Sequence, residues 1–184
     1  MCDISTYKNR IHDFAERLDP FIFSNEGVEH AEIVLSEIFE HAKDQVYIFC
    51  GHLDEKLTSR SLYYNSLMAY LASGKTLKVL IGDLPEVKSP ALLRIFEKIQ
   101  ENKKINADYN NIECRLLKDS SGINSHFKFN EARNIHFTVS DRRSFRLETE
   151  PKEYRAFCSF NDVDISNKLS SLFSTYFEMA EPIN

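Results

Sequence analysis

The sequence predicts an α/β fold in which a mixed, largely parallel sheet is flanked by helices. Two short apolar runs, at 45–50 and 76–81, are rich in β-branched and aromatic residues and indicate buried strands. They alternate with helical segments, and strands that are joined by helices form parallel sheets. A third strand at 112–117, a later hairpin and a strand at 154–160 extend the sheet and make it mixed.

Amphipathic helices are predicted for most of the remaining chain, because apolar residues recur there at the spacing of one helix face. The predicted helices cover residues near 7–18, 28–42, 59–73 and 89–99, and a last one begins near 164 or 166. Ser89-Pro90 is a typical helix start, and Gly74 is a typical terminator. The segments 20–24 and 118–124 are predicted to be a connector and a loop.

Composition limits the class of protein. The 184 residues suffice for one domain with a sizeable core, and the net charge of −5 gives no general attraction to nucleic acid or anionic membranes. No apolar run approaches the ~18 residues of a membrane span, and the amino terminus lacks a signal-peptide pattern. Three of the four cysteines lie in apolar, strand-like runs, so we expect buried free thiols and a reducing, cytoplasmic compartment. No cofactor or metal site is predicted.

A hairpin at 135–148 is the centre of the functional prediction. Its apolar and polar residues alternate on both sides of a short polar break, which is typical of two half-buried strands. The register that matches the faces sets His136 opposite Glu148 and Thr138 opposite Arg146. One face of the hairpin therefore carries a histidine, a glutamate and an arginine within reach of one another.

This polar face has two interpretations. A carboxylate that faces an imidazole can hold its tautomer and stabilise its charged form, so His136 and Glu148 are candidate catalytic residues. The other interpretation is a solvated outer face with ordinary cross-strand polar pairs. His52 and Asp83 directly follow two predicted parallel strands, where sites lie in such sheets, although both residue types also commonly end strands.

The layout also resembles one half of the phospholipase D superfamily, over about 150 residues. In that family a strand carries His-x-Lys, an aspartate follows after four intervening residues, and a Ser-x-Asn lies on a nearby strand end before a final helix. Asn134-x-His136-x-x-x-x-Asp141 has the spacing of the first motif. Ser159-x-Asn161, which follows Cys158, resembles the second.

The resemblance has departures at the positions that carry the chemistry. Asn134 stands where the family has its nucleophilic histidine, and asparagine cannot form the phosphohistidine of that chemistry. His136 stands where the family has lysine. Placing His136 at the family histidine would put Thr138 at the lysine, and a separate His-x-Lys at 126–128 has Arg133 in place of the aspartate. The motif is therefore predicted to be degenerate.

The resemblance implies a phospholipase D-like domain at 26–184 that follows an N-terminal helix and connector at 1–25. Family members with one motif copy in each chain pair as dimers, so a homodimer with its site at the interface is implied. The first functional hypothesis is a non-catalytic module that binds a phosphodiester, a nucleic acid or a partner protein, in a bacterial defence or mobile-element system.

The alternative is an active, metal-independent phosphodiesterase or nuclease with a rearranged site centred on His136. Glu148 would orient the imidazole, and the motif position of Asp141 would add it to the catalytic set. The phosphate would be bound by polar residues of the hairpin face and of the strand ends: Arg146, Thr138, His52, Ser159 and Asn161.

Overall fold

The computed structural model describes residues 3–51, 53–82, 88–105, 111–127 and 135–183. Within these ranges one eight-stranded sheet carries helices on both faces, with the strand order β1-β7-β6-β5-β2-β3-β4-β8. The strands are β1 (Phe23–Asn25), β2 (Gln45–Cys50), β3 (Thr76–Ile81), β4 (Ile112–Leu116), β5 (His136–Ser140), β6 (Ser144–Glu150), β7 (Arg155–Ser159) and β8 (Glu181–Pro182). The α-helices are α1 (Ile4–Arg17), α2 (Val28–His41), α3 (Glu55–Thr58), α4 (Ser61–Ala72), α5 (Pro90–Ile105), α6 (Ser121–Ser125) and α7 (Val163–Met179).

The predicted α/β class and mixed sheet are confirmed, whereas the largely parallel character holds only for the centre. β2 pairs with β3, and β3 with β4, in parallel. The other five strand pairs in the described ranges are antiparallel. The reason is that β5 joins the sheet against the free side of β2, and the short connections to β6 and β7 permit only antiparallel pairing.

Both faces of the sheet are covered by apolar helix faces. One face packs against α1, α2, α4 and α5 and buries residues such as Leu67 and Leu92. The other face packs chiefly against α7, where Phe173 stacks on Tyr47 of β2 with ring centroids 4.8 Å apart. The continuous apolar runs of β2 and β3 follow from this burial on two sides.

Several predicted elements are confirmed at their boundaries. The strands β2 and β3 begin and end at the predicted residues, and α5 begins at Pro90 with the Leu92 backbone N–H 3.3 Å from Ser89 Oγ. α4 stops two residues before Gly74, whose φ of 76° favours glycine.

Three short elements differ from the prediction. The predicted connector 20–24 contains the start of β1, which pairs with β7, and the predicted loop 118–124 contains most of α6. The helix α3, capped by Asp54, precedes α4. Each of these elements has five residues or fewer, which is too short for apolar periodicity to be visible.

The N-terminal segment packs closely on the rest of the chain. α1 buries Ile11 and Ala15 in the same core as α2 and α4, and β1 extends the sheet. The domain division at residue 25 stays a prediction. None of the helices in the described ranges combines the length and apolar composition that crossing a membrane requires.

The cysteine prediction is confirmed for the three strand residues. Cys50, Cys114 and Cys158 are buried and carry free thiols. Burial raises the pKa of the Cys158 thiol to about 12, so this group stays protonated.

The hairpin turn fixes the loop that leads into β2. Asp141 has a φ of 51°, and its carboxylate accepts hydrogen bonds from the backbone N–H groups of Lys43 at 2.6 Å, Asp44 at 3.0 Å and Gln45 at 2.9 Å. One carboxylate thus satisfies three consecutive backbone donors. Asp141 therefore ties the β5–β6 turn to the start of β2.

We expect Asp141→Asn to lower the free energy of unfolding by about 1–3 kcal/mol, because it removes the charge and one acceptor from this contact. Asparagine tolerates the same left-handed backbone, so the variant adds no strain. Urea unfolding would measure the change. Arg142→Gln, at the exposed neighbouring turn position, serves as the control and is expected to shift stability by less than about 0.5 kcal/mol. Equal stability of both variants and the parent would contradict this role.

Candidate functional site

The structure brings together the four polar residues that the hairpin register predicts. The Cα pairs His136–Glu148 and Thr138–Arg146 are observed as expected. Thr138, Arg146 and Glu148 are each at most 6% exposed, because α2 packs over their face of the hairpin. The solvated-face interpretation is therefore wrong. The opposite face of the hairpin, which carries Phe137, is buried as well.

The Arg146 guanidinium is committed to protein groups. Its Nε donates to Asn25 Oδ1 at 3.2 Å, and one terminal nitrogen donates to Glu148 Oε1 at 3.2 Å and to the Tyr154 backbone oxygen at 2.8 Å. A buried charge requires such partners to offset the loss of hydration. Arg146 therefore holds β1, β6 and the turn before β7 together.

Glu148 links this arginine to His136 through its second oxygen. Glu148 Oε2 lies 3.2 Å from His136 Nδ1, and the Gly51 backbone N–H lies 3.1 Å from His136 Nε2. A backbone N–H can only donate, so Nε2 is the acceptor and Nδ1 carries the ring proton. The imidazole is thus held between a carboxylate and a backbone amide.

The electrostatics of Glu148 follow from these contacts. Burial raises the pKa of its carboxyl, but the hydrogen bond from His136 and the positive charge of Arg146 outweigh burial. The resulting pKa lies below the ordinary glutamate value. Glu148 is therefore a carboxylate at neutral pH.

The network continues from Tyr154 to α3. The Tyr154 hydroxyl donates to the Asp54 carboxylate, and Asp54 also accepts the Lys56 backbone N–H at 3.1 Å. Burial, together with this hydrogen bond, raises the pKa of Tyr154. A cavity of about 240 Å³ lies among these groups and His136.

A second, smaller cleft lies at the carboxyl ends of β2 and β3. Its volume is about 110 Å³, and polar groups of Gly51, Ser120, Asn124 and His136 line it. A Cβ at position 51 would lie 3.3 Å from His136 Nε2, so glycine permits the close approach of ring and backbone. Open α/β sheets bind ligands at this edge.

Ser120 and Asn124 were not predicted from the sequence. They lie in the segment after β4, Ser120 just before α6 and Asn124 within it, so an extension of the strand-end argument beyond the first residue could have found them. Asn124 Oδ1 accepts the Ile135 backbone N–H at 3.0 Å. This bond ties the cleft wall to the beginning of the hairpin.

The remaining predicted site residues lie elsewhere or outside the described ranges. β5 and β7 both run opposite to β2, so Asp141, Ser159 and Asn161 lie at the edge of the sheet where β2 begins. Ser159 is fully buried, and its Oγ lies 3.3 Å from the Asn161 backbone N–H. The structure therefore does not bring these three residues to His136. The predictions that involve His52, Asp83, Lys128, Arg133 and Asn134 fall outside the described residues.

This fold is the phospholipase D-like fold. A phospholipase D family member, Nuc from Salmonella typhimurium, matches with a TM-score of 0.58 and 11% identity over 90% of this chain and 99% of that one. NucT from Helicobacter pylori matches with a TM-score of 0.57 and 12% identity over 89% of this chain and 100% of that one. At identities this low, the structural matches establish a shared fold and nothing further.

A third solved structure is TrmBL2, an archaeal chromatin protein with a novel mode of DNA binding. It matches with a TM-score of 0.54 and 16% identity over 97% of this chain, which spans 62% of TrmBL2. Comparison of the sequence with protein-family models and with curated proteins finds no match.

We expect Glu148→Gln to lower the free energy of unfolding at pH 7 by about 3–5 kcal/mol, because it leaves Arg146 buried without its carboxylate. The folded-state pKa of Glu148 lies below its unfolded value, so the unfolded state takes up the proton first as the pH falls. The contribution is complete above the ordinary glutamate pKa of about 4.3 and is lost as the pH falls through the lower folded-state value. The gap in unfolding free energy between variant and parent should therefore close as the pH falls.

Urea unfolding from pH 7 to pH 3 would measure this gap. Glu101→Gln is the matched control, because Arg94 also lowers the pKa of Glu101 but the pair is solvent-exposed. The control should change stability far less at every pH. A Glu148→Gln deficit that stayed constant down to pH 3 would contradict the proposed electrostatics.

Proposed function

We propose that this chain is a phospholipase D-like module that binds the phosphodiester backbone of a nucleic acid without cleaving it. The observation that carries the proposal is the state of His136. Its Nε2 accepts a hydrogen bond from the Gly51 backbone N–H, and its Nδ1 donates to Glu148. Nucleophilic attack needs a ring nitrogen whose lone pair is available, and in this arrangement the lone pair is already used.

The sequence departures support the same function. Asn134 stands at the position of the family's nucleophilic histidine, and His136 at that of its lysine. The Arg146 guanidinium, on the same hairpin face as His136, already donates to Asn25, Glu148 and the Tyr154 backbone oxygen. Binding is therefore favoured over turnover.

The cleft beside His136 offers neutral donors that suit phosphate oxygens. Ser120 supplies a hydroxyl, and Asn124 supplies an amide NH₂ group because its Oδ1 is occupied by Ile135. Hydrogen bonds to phosphate oxygens position a nucleic acid without reading its sequence. The likeness to TrmBL2, described as a DNA-binding chromatin protein, supports nucleic acid as the ligand.

We expect Asn124→Asp to weaken nucleic-acid binding at least tenfold, or about 1.4 kcal/mol, because a carboxylate in the cleft repels phosphate. The variant keeps the oxygen that accepts the Ile135 N–H. Asn161→Asp makes the same charge change at the opposite edge of the sheet and should bind within twofold of the parent. Fluorescence anisotropy with labelled single- and double-stranded DNA and RNA, at fixed salt, would measure both.

Two results would contradict the proposal. Equal weakening by Asn124→Asp and Asn161→Asp would show that only net charge matters, and the cleft would not be the binding site. A parent protein that binds none of these nucleic acids at low salt would exclude the module as a nucleic-acid binder.

The second candidate function is a phosphodiesterase with a rearranged site. It is favoured by the His136–Glu148 contact. A carboxylate that accepts the Nδ1–H keeps Nε2 unprotonated, and a general base or nucleophile needs such an unprotonated nitrogen. Hydrolysis of a chromogenic phosphodiester and of nucleic acids, with and without divalent metal, distinguishes the two functions. Turnover in the parent that disappears in His136→Ala would replace the binding-only proposal.

The family resemblance carries further proposals of its own. They are a homodimer with its site at the interface, a partner protein, and a bacterial defence or mobile-element setting. A reducing cytoplasmic compartment is a separate proposal that rests on the cysteine pattern. Light scattering of the purified protein tests the dimer, for which an observed mass near twice the 21.4 kDa of one chain is expected.

A further inference from the structure

A cluster of histidines and glutamates joins α1 to α2, away from the hairpin. His12 and Glu16 lie one turn apart on α1, and Glu37 and His41 lie one turn apart on α2. Residues spaced by four share one face of a helix, so each helix presents one imidazole and one carboxylate to the other. We call these four residues the α1–α2 cluster.

The distances within the α1–α2 cluster suit a shared cation. Glu37 Oε2 lies 3.1 Å from His12 Nδ1 and 3.3 Å from His41 Nδ1. The potential ligand atoms of His12, Glu37 and His41 all lie within 4.8 Å of one another. A tetrahedral zinc ion with bonds of 2.0–2.1 Å separates its ligand atoms by about 3.3 Å.

The hydrogen-bonding capacity of His41 also indicates a cation. Its Nδ1 lies 3.0 Å from the Glu37 backbone oxygen, and its Nε2 lies 3.2 Å from Glu16 Oε1. Both ring nitrogens thus face oxygen acceptors, whereas a neutral imidazole has a single N–H. A metal ion on Nδ1 would leave the proton on Nε2 to donate to Glu16, which is the usual carboxylate–histidine–metal arrangement.

Burial and charge distinguish Glu37 from an ordinary surface carboxylate. Its side chain is 5% exposed, and the charged groups that act on it are His12, His41 and Glu40. Both ion pairs that Glu37 makes in the described ranges are with histidines, His12 and His41. His12 is half exposed, which leaves a route for an ion and a position for water.

We propose that the α1–α2 cluster binds a divalent transition-metal ion such as zinc. His12, Glu37 and His41 supply the ligands, and water occupies the open position. Glu16 orients His41 by accepting a hydrogen bond from its Nε2–H. A site of imidazole nitrogens and a carboxylate favours zinc and similar first-row transition metals over magnesium and calcium. The bound ion fastens α1 to α2 and so stabilises the attachment of the N-terminal helix.

The test uses protein without a histidine tag, stripped of metal with a chelator and then dialysed. Calorimetric titration with zinc should give one ion per chain, whereas magnesium should give no comparable binding. His12→Ala and His41→Ala should each weaken zinc binding at least tenfold. His30→Ala is the matched control, because His30 also joins α2 to α1, by stacking on Tyr7 with ring centroids 4.0 Å apart.

Thermal unfolding supplies a second readout. Zinc should raise the unfolding temperature of the parent and of His30→Ala but leave that of His12→Ala unchanged. Since His12 is half exposed, its truncation should preserve the circular dichroism spectrum, so this variant decides the question even if His41→Ala does not fold. Glu16→Gln, which keeps an acceptor for His41, should weaken zinc binding less than either histidine variant.

Two outcomes would overturn the proposal. One is a parent protein that binds no zinc, in which case the cluster is held by protons and hydrogen bonds alone. The other is zinc binding of equal affinity and stoichiometry in the parent, His12→Ala and His41→Ala, which would locate the ion elsewhere.

Discussion

The buried contact of Glu148 with Arg146 and His136 is the constraint on which the rest of this structure depends. One carboxylate serves two partners, with Oε1 on the guanidinium and Oε2 on the imidazole. A buried arginine needs hydrogen-bond partners to offset its lost hydration, and Arg146, at 4% exposure, also donates to Asn25 and to the Tyr154 backbone oxygen. The short strand β1 and the turn before β7 are thereby fixed to the centre of the sheet.

This constraint also determines what His136 can do. A free imidazole beside a phosphate could act as a nucleophile or base, but here Glu148 fixes the proton on Nδ1 and Gly51 occupies Nε2. The cleft beside the ring keeps Ser120 and Asn124, which are neutral donors. The proposal of binding without cleavage rests on this combination of a cleft of about 110 Å³ with a histidine whose two ring nitrogens both have hydrogen-bond partners.

The alternation of the hairpin was sufficient to predict the pairing of His136 with Glu148, because a slip of one residue would reverse every face. It could not predict that both faces are buried, since a polar face looks the same in sequence whether water or α2 covers it. Motif spacing placed Asp141 and Ser159 beside His136, but strand direction sends them to the opposite edge. The α1–α2 cluster was missed because its two four-residue spacings, His12 to Glu16 and Glu37 to His41, lie in separate helices.

The most direct test of the central claim is ¹⁵N NMR of the His136 ring at neutral pH, with Glu148→Gln as a reference for assignment. We expect a proton on Nδ1 and an unprotonated Nε2 that is coupled to the Gly51 amide across the hydrogen bond. A ring protonated on Nε2, or one that exchanges freely between tautomers as in water, would contradict it. In that case the imidazole would be available for chemistry, and the phosphodiesterase would become the better account of the site.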